Sequence, residues 1–168
     1  KRNIAVYIVP TADFHGSEYV GEHFKARQYI TGFTGSAGTA VITMTEAGLW
    51  TDGRYFVQAA AQLSGTTVQL YKMGQEGVPS IAEYLRQTLK EGETIGIDGR
   101  VVNAAWGNSL LELAREKNGS LYVDEDLTDI IWGDRPPMSK APATIFDIKY
   151  TGKDTQDKLS DVRKVMKE

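Results

Sequence analysis

The most concentrated group of reactive side chains in this sequence is the segment Thr51-Asp52-Gly53-Arg54-Tyr55-Phe56. Asp52 is placed where its carboxylate can cap the helix that follows, and Gly53 allows the backbone to turn sharply. Arg54 falls in the first turn of that helix, where a positive charge opposes the helix dipole. This placement predicts a specific anionic partner: a carboxylate of this chain, a neighbouring subunit or a substrate terminus. An Arg–Asp pair that braces the turn explains the same residues at least as well.

A second candidate is the glycine-rich segment 31–38, in which Gly32, Gly35 and Gly38 recur at every third position. A phosphate-binding loop follows a strand and opens a helix, so that backbone N–H groups face the anion. Here the glycines precede a predicted strand, and neither G-x-G-x-x-G nor a following Gly-Lys-Ser/Thr is present. We therefore predict a tight turn with close backbone approach rather than a nucleotide site. A third interpretation places the loop beside another domain or a ligand, with Phe33 turned outward.

Acidic and histidine side chains also cluster near the amino terminus, at Asp13, His15, Glu18, Glu22 and His23. A metal site needs three or four convergent ligands, and a helical His23 does not converge with an extended stretch around Asp13. We predict capping and turn-forming roles for these residues, with Asp13 and Ser17 satisfying backbone groups of a turn. No Ser-His-Asp arrangement or specific carboxylate pair is recognisable, so we predict no catalytic residue and no metal ligand.

Composition narrows the function classes further. The 168 residues are 41% hydrophobic and 24% charged, which suits one globular domain, or one domain and the start of another. With no cysteine and two histidines, disulfides, thiolate zinc sites, a cysteine nucleophile and histidine-rich metal sites are excluded. The net charge of −3 argues against nucleic acid as a partner, and no apolar run reaches the ~20 residues of a membrane helix. We therefore expect a cytoplasmic protein without a membrane partner. Because the sequence starts at Lys1 rather than methionine, we also expect it to be trimmed or excised from a larger protein.

The elements that would position these residues alternate along the chain. Short apolar runs predict strands at residues 4–9, 39–43, 49–51, 67–71, 95–98 and 121–123. Helical spacing predicts helices at residues 22–30, 54–63, 80–89 and 103–117, the third opened by a capping box of Ser80 and Glu83. The second and third strands are predicted to form a hairpin. The pattern indicates an α/β fold with a mixed sheet of about six strands flanked by helices.

Composition changes after Trp132. Residues 133–142 are rich in proline and charge and cannot form a helix interior or a central strand. Residues 153–168 are predicted to form a charged helix with one apolar stripe, which has no obvious partner in this chain: Leu159, Val162, Val165 and Met166. We predict a first domain at 1–132, a linker at 133–152 and the truncated start of a middle domain at 153–168.

Several segments together resemble one family. They are YIVPTADFHGSEY at 7–19, ITGFTGSAGTAV at 30–41, LWTDGRYFVQA at 49–59 and WGDRP at 132–136, with YTG at 150–152 and DKL at 157–159. They are similar to the amino-terminal domain of the Xaa-Pro aminopeptidases, in the creatinase/prolidase superfamily, and WGDRP resembles the three-domain members. The resemblance implies a ribonuclease-H-like topology for this domain. It also implies a parent enzyme that removes the N-terminal residue preceding proline.

In this family two metal ions, usually manganese, are held in a carboxy-terminal catalytic domain that this chain does not contain, where they activate a water molecule. The resemblance therefore implies no catalytic residue and no metal ligand here, and His15 and His23 are not the catalytic histidines. It implies that this domain lines the active-site mouth and helps to form homodimers. In creatinase-like relatives an arginine of this domain reaches a substrate carboxylate across a subunit interface. Phe33 and Arg54 are the residues we expect on that surface.

We therefore expect a non-catalytic domain of a metal-dependent Xaa-Pro aminopeptidase, inactive alone, whose partners are the catalytic domain and a peptide with proline in second position. The alternative is a stand-alone binding or dimerisation module of the same fold without peptidase activity.

Overall fold

The computed structural model describes residues 3–168 of the chain. Contacts between residues divide the chain into two units, one ending at Met138 and the other comprising Ser139–Glu168. The first unit contains the sheet and all of the candidate functional residues that were predicted from the sequence.

The first unit is built on a sheet of six strands: β1 (Ile4–Pro10), β2 (Thr39–Thr43), β3 (Ala47–Thr51), β4 (Val68–Lys72), β5 (Thr94–Ile97) and β6 (Ser120–Tyr122). Their order is β4-β3-β2-β1-β5-β6, and β2 runs antiparallel to the other five. This mixed sheet flanked by helices confirms the predicted fold class. The predicted hairpin of β2 and β3 is also present, and the Thr43 hydroxyl accepts hydrogen bonds from the N–H groups of Thr45 and Glu46 in its turn.

Helices connect the strands of this unit: α1 (Ala26–Thr31), α2 (Phe56–Leu63), α3 (Ile81–Thr88), α4 (Ala104–Arg115) and α5 (Leu127–Ile131), with three-ten turns at Glu22–Phe24 and Gly53–Tyr55. The capping box is confirmed, since the Ser80 hydroxyl accepts from the Glu83 N–H and the Glu83 carboxylate accepts from the Ser80 N–H. The helix predicted at 22–30 is interrupted at Lys25, whose ψ of 34° lies outside the helical range. Glu22–Phe24 forms a separate three-ten turn.

Apolar side chains cover both faces of the sheet. Along β1, Val6 and Ile8 belong to one buried cluster, which also contains Trp50 and Leu110, while Tyr7 and its neighbours pack on the opposite face. Burying an apolar side chain of this size contributes roughly 1.5–3 kcal/mol. Because both faces are covered, the polar residues nominated for function lie at the edge where the strands end.

The segment that follows α5 is fastened to the first unit. The Arg135 side chain is 8% exposed and lies 2.5 Å from a carboxylate oxygen of Asp126. Its Nε donates to the carbonyl oxygen of His23, and His23 Nδ1 lies 2.8 Å from the carbonyl oxygen of Pro136. Contacts of this unit extend to Met138, so the first residues of the predicted linker are held against it.

The second unit contains α6 (Ile148–Thr151) and α7 (Thr155–Val165). Asp147 and Asp154 cap their amino termini, and Gly152 ends α6 with a φ of 74°. The charged helix predicted near the end of the chain is present as α7. Its apolar stripe is exposed: Leu159, Val162, Val165 and Met166. None of the described helices is both long enough and apolar enough to cross a bilayer.

Candidate functional site

Three segments that resemble the family meet at one edge of the sheet: residues 7–19 (the first), 30–41 (the second, with the glycine-rich loop) and 49–59 (the third). This edge holds the carboxyl ends of β1 and β3 and the amino end of β2, because β2 runs antiparallel to both neighbours. Thr11, just beyond β1, donates from its backbone N–H and its hydroxyl to the carbonyl oxygen of Gly38. Thr51, at the end of β3, donates from its hydroxyl to the carbonyl oxygen of Ala37 at 2.7 Å. The glycine-rich loop is therefore held between the first and third segments.

Arg54 lies at this edge and is held by an acidic neighbour. Asp52 accepts a hydrogen bond from the Arg54 N–H, and both of its carboxylate oxygens accept from the guanidinium at 2.9 Å. Glu18, from the first segment, places a second carboxylate 3.9 Å away, and the guanidinium lies 5.2 Å from the ring centre of Tyr55. The side-chain hydrogen bond lowers the pKa of Asp52 and raises the pKa of Arg54.

Both interpretations of Arg54 have a structural basis. The Arg–Asp pair that braces the turn is present, as the more conservative interpretation requires. The Arg54 side chain nevertheless stays 60% exposed, so a substrate or a neighbouring subunit could still reach it. A role for Arg54 in lining substrate or an interface stays a prediction.

The structure corrects the interpretation that Phe33 turns outward. Its side chain is fully buried and packs with Leu49, Ala59 and Leu63, while the Tyr55 ring meets it edge-on at 5.8 Å. Turning the ring outward would give up this burial, which is worth a few kcal/mol for an aromatic side chain. Phe33 packs in the core below this edge of the sheet, and its side chain is not accessible to a substrate in this conformation.

Close packing explains two of the three loop glycines. A Cβ on Gly35 would lie 2.2 Å from the Phe33 ring, and a Cβ on Gly38 would lie 3.2 Å from the backbone oxygen of Trp50. Gly32 instead ends α1 in the left-handed conformation, with a φ of 73°. The tight turn with close backbone approach, predicted as the alternative to a nucleotide site, is therefore the observed one.

Arg27 is a buried cation that was not predicted from the sequence. It is 4% exposed and donates through Nε to the hydroxyl of Thr11, and through its two terminal nitrogens to the carbonyl oxygens of Phe33 and Gly35. Burial lowers the pKa of Arg27 to about 10. The one sequence signal for this role is its spacing from Thr31, since both lie one turn apart on the buried side of α1.

The acidic and histidine cluster forms a turn. Asp13 accepts hydrogen bonds from the N–H groups of His15 and Ser17 at 2.9 Å, and the bond from Ser17 is the main reason why the pKa of Asp13 is lowered. The turn-forming role predicted for Asp13 is thereby confirmed. His23 lies in a three-ten turn and contacts Pro136 instead. Among the residues that the structure describes, no three histidine or acidic side chains are placed to hold a metal ion.

A cleft of about 460 Å³ opens at the same edge, beyond the carboxyl ends of β1 and β5. The chain changes direction across the sheet between these parallel strands, and ligands of α/β folds often bind at such a point. Phe14 and Trp106 line the cleft together with Arg100, whose guanidinium is held by both carboxylate oxygens of Asp98. The loop after β1 thus contributes to this cleft and, through Glu18, to the surroundings of Arg54.

Comparison with known sequences identifies relatives over the whole chain. Residues 2–132 match the profile of the Creatinase/Prolidase N-terminal domain. A "Probable Xaa-Pro aminopeptidase P" from Talaromyces marneffei is 45% identical over 170 residues, which is 99% of this chain and 26% of the relative. A protein of the same name from Aspergillus niger is 42% identical over 166 residues, 98% of this chain and 27% of the relative. The chain therefore spans about a quarter of the length of these curated relatives.

Solved structures give the same picture. The X-prolyl aminopeptidase from Caenorhabditis elegans, described as a cytosolic enzyme with a di-nuclear active site, superimposes with a TM-score of 0.83 at 32% identity. The match covers 98% of this chain and 27% of that one. The N-terminal domain of the cytoplasmic peptidase PepQ from Mycobacterium tuberculosis has a TM-score of 0.51 at 23% identity, over 76% of this chain and 87% of that one. This second likeness concerns the fold alone.

Proposed function

Because this chain belongs to the creatinase/prolidase N-terminal domain family, we propose that it is the non-catalytic amino-terminal domain of a Xaa-Pro aminopeptidase. The observation that carries the proposal is the extent of the match: nearly the whole chain aligns, at 45% identity, with about a quarter of a probable Xaa-Pro aminopeptidase P. The parent enzyme would remove the N-terminal residue of a peptide with proline in second position. This domain would shape the mouth of the active site and take part in assembly.

Among the residues that the structure describes, no three histidine or acidic side chains converge to hold the metal ions that the family implies. His23 Nδ1 lies 2.8 Å from the carbonyl oxygen of Pro136, and Asp13 Oδ1 accepts hydrogen bonds from two backbone N–H groups. We therefore assign the two divalent ions, which we propose to be manganese, to a carboxy-terminal catalytic domain. The di-nuclear active site described for the C. elegans relative supports the number of two ions.

The polar edge of the sheet is the part of this domain that we assign to the active-site mouth. It brings together three segments characteristic of the family and presents the exposed guanidinium of Arg54. Residues 1–132 would form the domain proper, 133–152 the linker and 153–168 the first helix of a middle domain, whose core would cover the apolar stripe of α7. We propose a cytoplasmic location, since the C. elegans relative is described as cytosolic. We also propose a homodimer as the assembled state.

The proposal is tested by incubating the chain and its full-length parent separately with Mn²⁺ and an Arg-Pro-Pro peptide, and measuring released arginine. We expect release by the parent and none by the chain. Turnover by the chain itself would refute the proposal. Tight peptide binding by the chain, with no peptidase sequence following it in the protein, would instead favour a stand-alone binding or dimerisation module.

A further inference from the structure

Arg27 carries a buried positive charge that no carboxylate of the described residues neutralises. Its hydrogen-bond acceptors are a hydroxyl and two backbone carbonyls, all of them neutral, and the Phe33 ring lies 4.7 Å from its guanidinium carbon. These bonds use three of the five N–H donors of the guanidinium. Burial lowers its pKa, and the group that opposes this shift is the Tyr55 phenol rather than a carboxylate. Buried charges in proteins are normally paired, so this arrangement lacks an anion.

Arg27 lines a small pocket. The pocket has a volume of about 100 Å³, and its walls include Arg27 together with two of its hydrogen-bond partners, Thr11 and Gly35. The volume equals that of about three water molecules, enough for a carboxylate group and one or two carbon atoms. Its remaining walls combine apolar side chains, Tyr19, Val20 and Phe24, with the polar Gln28 and Ser36.

The charges around the pocket favour an anion from outside the described residues. Lys25 lines the pocket and adds a second positive charge, although its ammonium group already contacts Glu22. Glu18 also lines the pocket, but its side chain is 61% exposed and its carboxylate lies 3.9 Å from Arg54. Glu18 is thus directed to another arginine and does not neutralise Arg27.

We propose that this pocket binds a carboxylate group carried on a short apolar chain, with Arg27 as the charged donor. The remaining N–H donors of the guanidinium match the two oxygens of a carboxylate, and the apolar walls accept the attached carbons. The carboxylate has two possible sources: a small molecule in solution, or an acidic residue in the part of the parent protein outside this chain. The inference is independent of peptidase activity and extends the proposed function by a binding site.

The test uses propionate, which has the required carboxylate and two further carbons. Propionate is titrated into the chain while the Nε–H signals of its arginines are followed by NMR, with NaCl at matched ionic strength as the reference. We expect a saturable shift of the Arg27 signal in the millimolar range, which is modest for so small a ligand. The proposal is overturned if the Arg27 signal does not saturate, or if NaCl produces the same shift.

Three variants locate the binding. Arg27→Gln removes the charged donor and should abolish saturable propionate binding. Val20→Trp is designed to fill the pocket and keeps Arg27, so it should weaken propionate binding at least tenfold. It provides an independent test if Arg27→Gln fails to fold. Glu18→Gln removes a nearby negative charge and should strengthen binding about two- to fivefold. If Glu18→Gln instead weakens binding, the pocket does not hold an external carboxylate. Arg86→Gln, on the exposed side of α3, is the matched arginine control and should leave the affinity unchanged.

The same titration of the full-length parent separates the two sources. If propionate binds there with the affinity seen in the chain, the carboxylate comes from solution. If the chain binds propionate and the parent does not, an acidic residue of the parent occupies the pocket. Both results support the site, whereas binding by neither protein contradicts it.

Discussion

Replacing Arg135 with methionine should destabilise the first unit, because it leaves a buried carboxylate without its partner. The Asp126 side chain is 5% exposed and the Arg135 side chain 8%, so both charges are removed from water. Asp126 also caps α5, accepting a hydrogen bond from the Thr128 N–H at 2.9 Å. Methionine keeps much of the length and apolar character of the arginine stem, so the lost charge dominates the effect.

The size of the stability loss in Arg135→Met follows from the burial of the Arg135–Asp126 ion pair. Breaking a buried ion pair by removing one partner typically costs about 3–5 kcal/mol. The guanidinium of Arg100 lies 3.8 Å from Asp126 and is 57% exposed, so it partly neutralises the Asp126 carboxylate in the variant. We therefore expect the free energy of unfolding to fall by about 3 kcal/mol, the lower end of this range. The free energy of unfolding typically falls by about 2 kcal/mol per molar urea, so the urea concentration at the unfolding midpoint should fall by about 1.5 M.

The loss should depend on pH. Burial alone would raise the pKa of Asp126, but the hydrogen bond and charge of Arg135 outweigh it, so the pKa is lowered. The stabilisation from this ionised carboxylate is therefore present above the carboxyl's unfolded pKa and is lost as the pH falls. In Arg135→Met burial dominates and raises the pKa, so protonation relieves the unpaired charge at acidic pH. The difference between the two proteins should therefore shrink between pH 7 and pH 4.

Urea unfolding followed by tryptophan fluorescence at both pH values measures these effects. Arg86→Met is the matched control, because its pair with Glu116 is about half exposed on both sides, and no measurable change is expected. Adding Asp126→Asn to Arg135→Met removes the buried charge and retains a helix cap, so it should restore at least half of the loss. If Arg135→Met loses no more stability than Arg86→Met, or loses the same amount at both pH values, the Arg135–Asp126 pair does not stabilise the unit as a buried ion pair.

Two further substitutions test the edge of the sheet. In the parent enzyme, Arg54→Ala should lower kcat/KM or weaken the dimer without changing the melting temperature of the domain; unchanged kinetics and unchanged sedimentation would mean that Arg54 only braces its turn. Gly38→Val should destabilise the domain by roughly 1–3 kcal/mol, because its Cβ would lie 3.2 Å from the backbone oxygen of Trp50. Gly53→Ala is the control, since its nearest neighbour would be 3.9 Å away, and a thermal melt showing equal losses for both would contradict the packing argument.

Features set by neighbouring residues were predictable from the sequence. The hairpin of β2 and β3, the capping box of Ser80 and Glu83 and the turn closed by Asp13 all depend on contacts within a few positions. Such contacts leave a signature in residue type and spacing. Fold class followed because the alternation of strands and helices has few packing solutions.

Features set by distant partners were not predictable. The inward orientation of Phe33 depends on Leu49 and Leu63, which only the folded sheet brings beside the loop. The buried role of Arg27 was not predictable because two of its three acceptors are backbone carbonyls, which any sequence supplies. Arg135 donates to a backbone oxygen of His23, 112 positions away, and neither the predicted linker nor the WGDRP motif that contains it predicted this contact.

We propose that this domain shapes the reaction centre of a larger enzyme and that the metal ions are bound elsewhere in that enzyme. Calorimetric titration of Mn²⁺ into the chain, with the metal-free full-length parent as the comparison, distinguishes the two locations. We predict saturable binding near two ions per parent chain and no saturable heat for the domain. A stoichiometric, tight Mn²⁺ site in the domain would contradict the account.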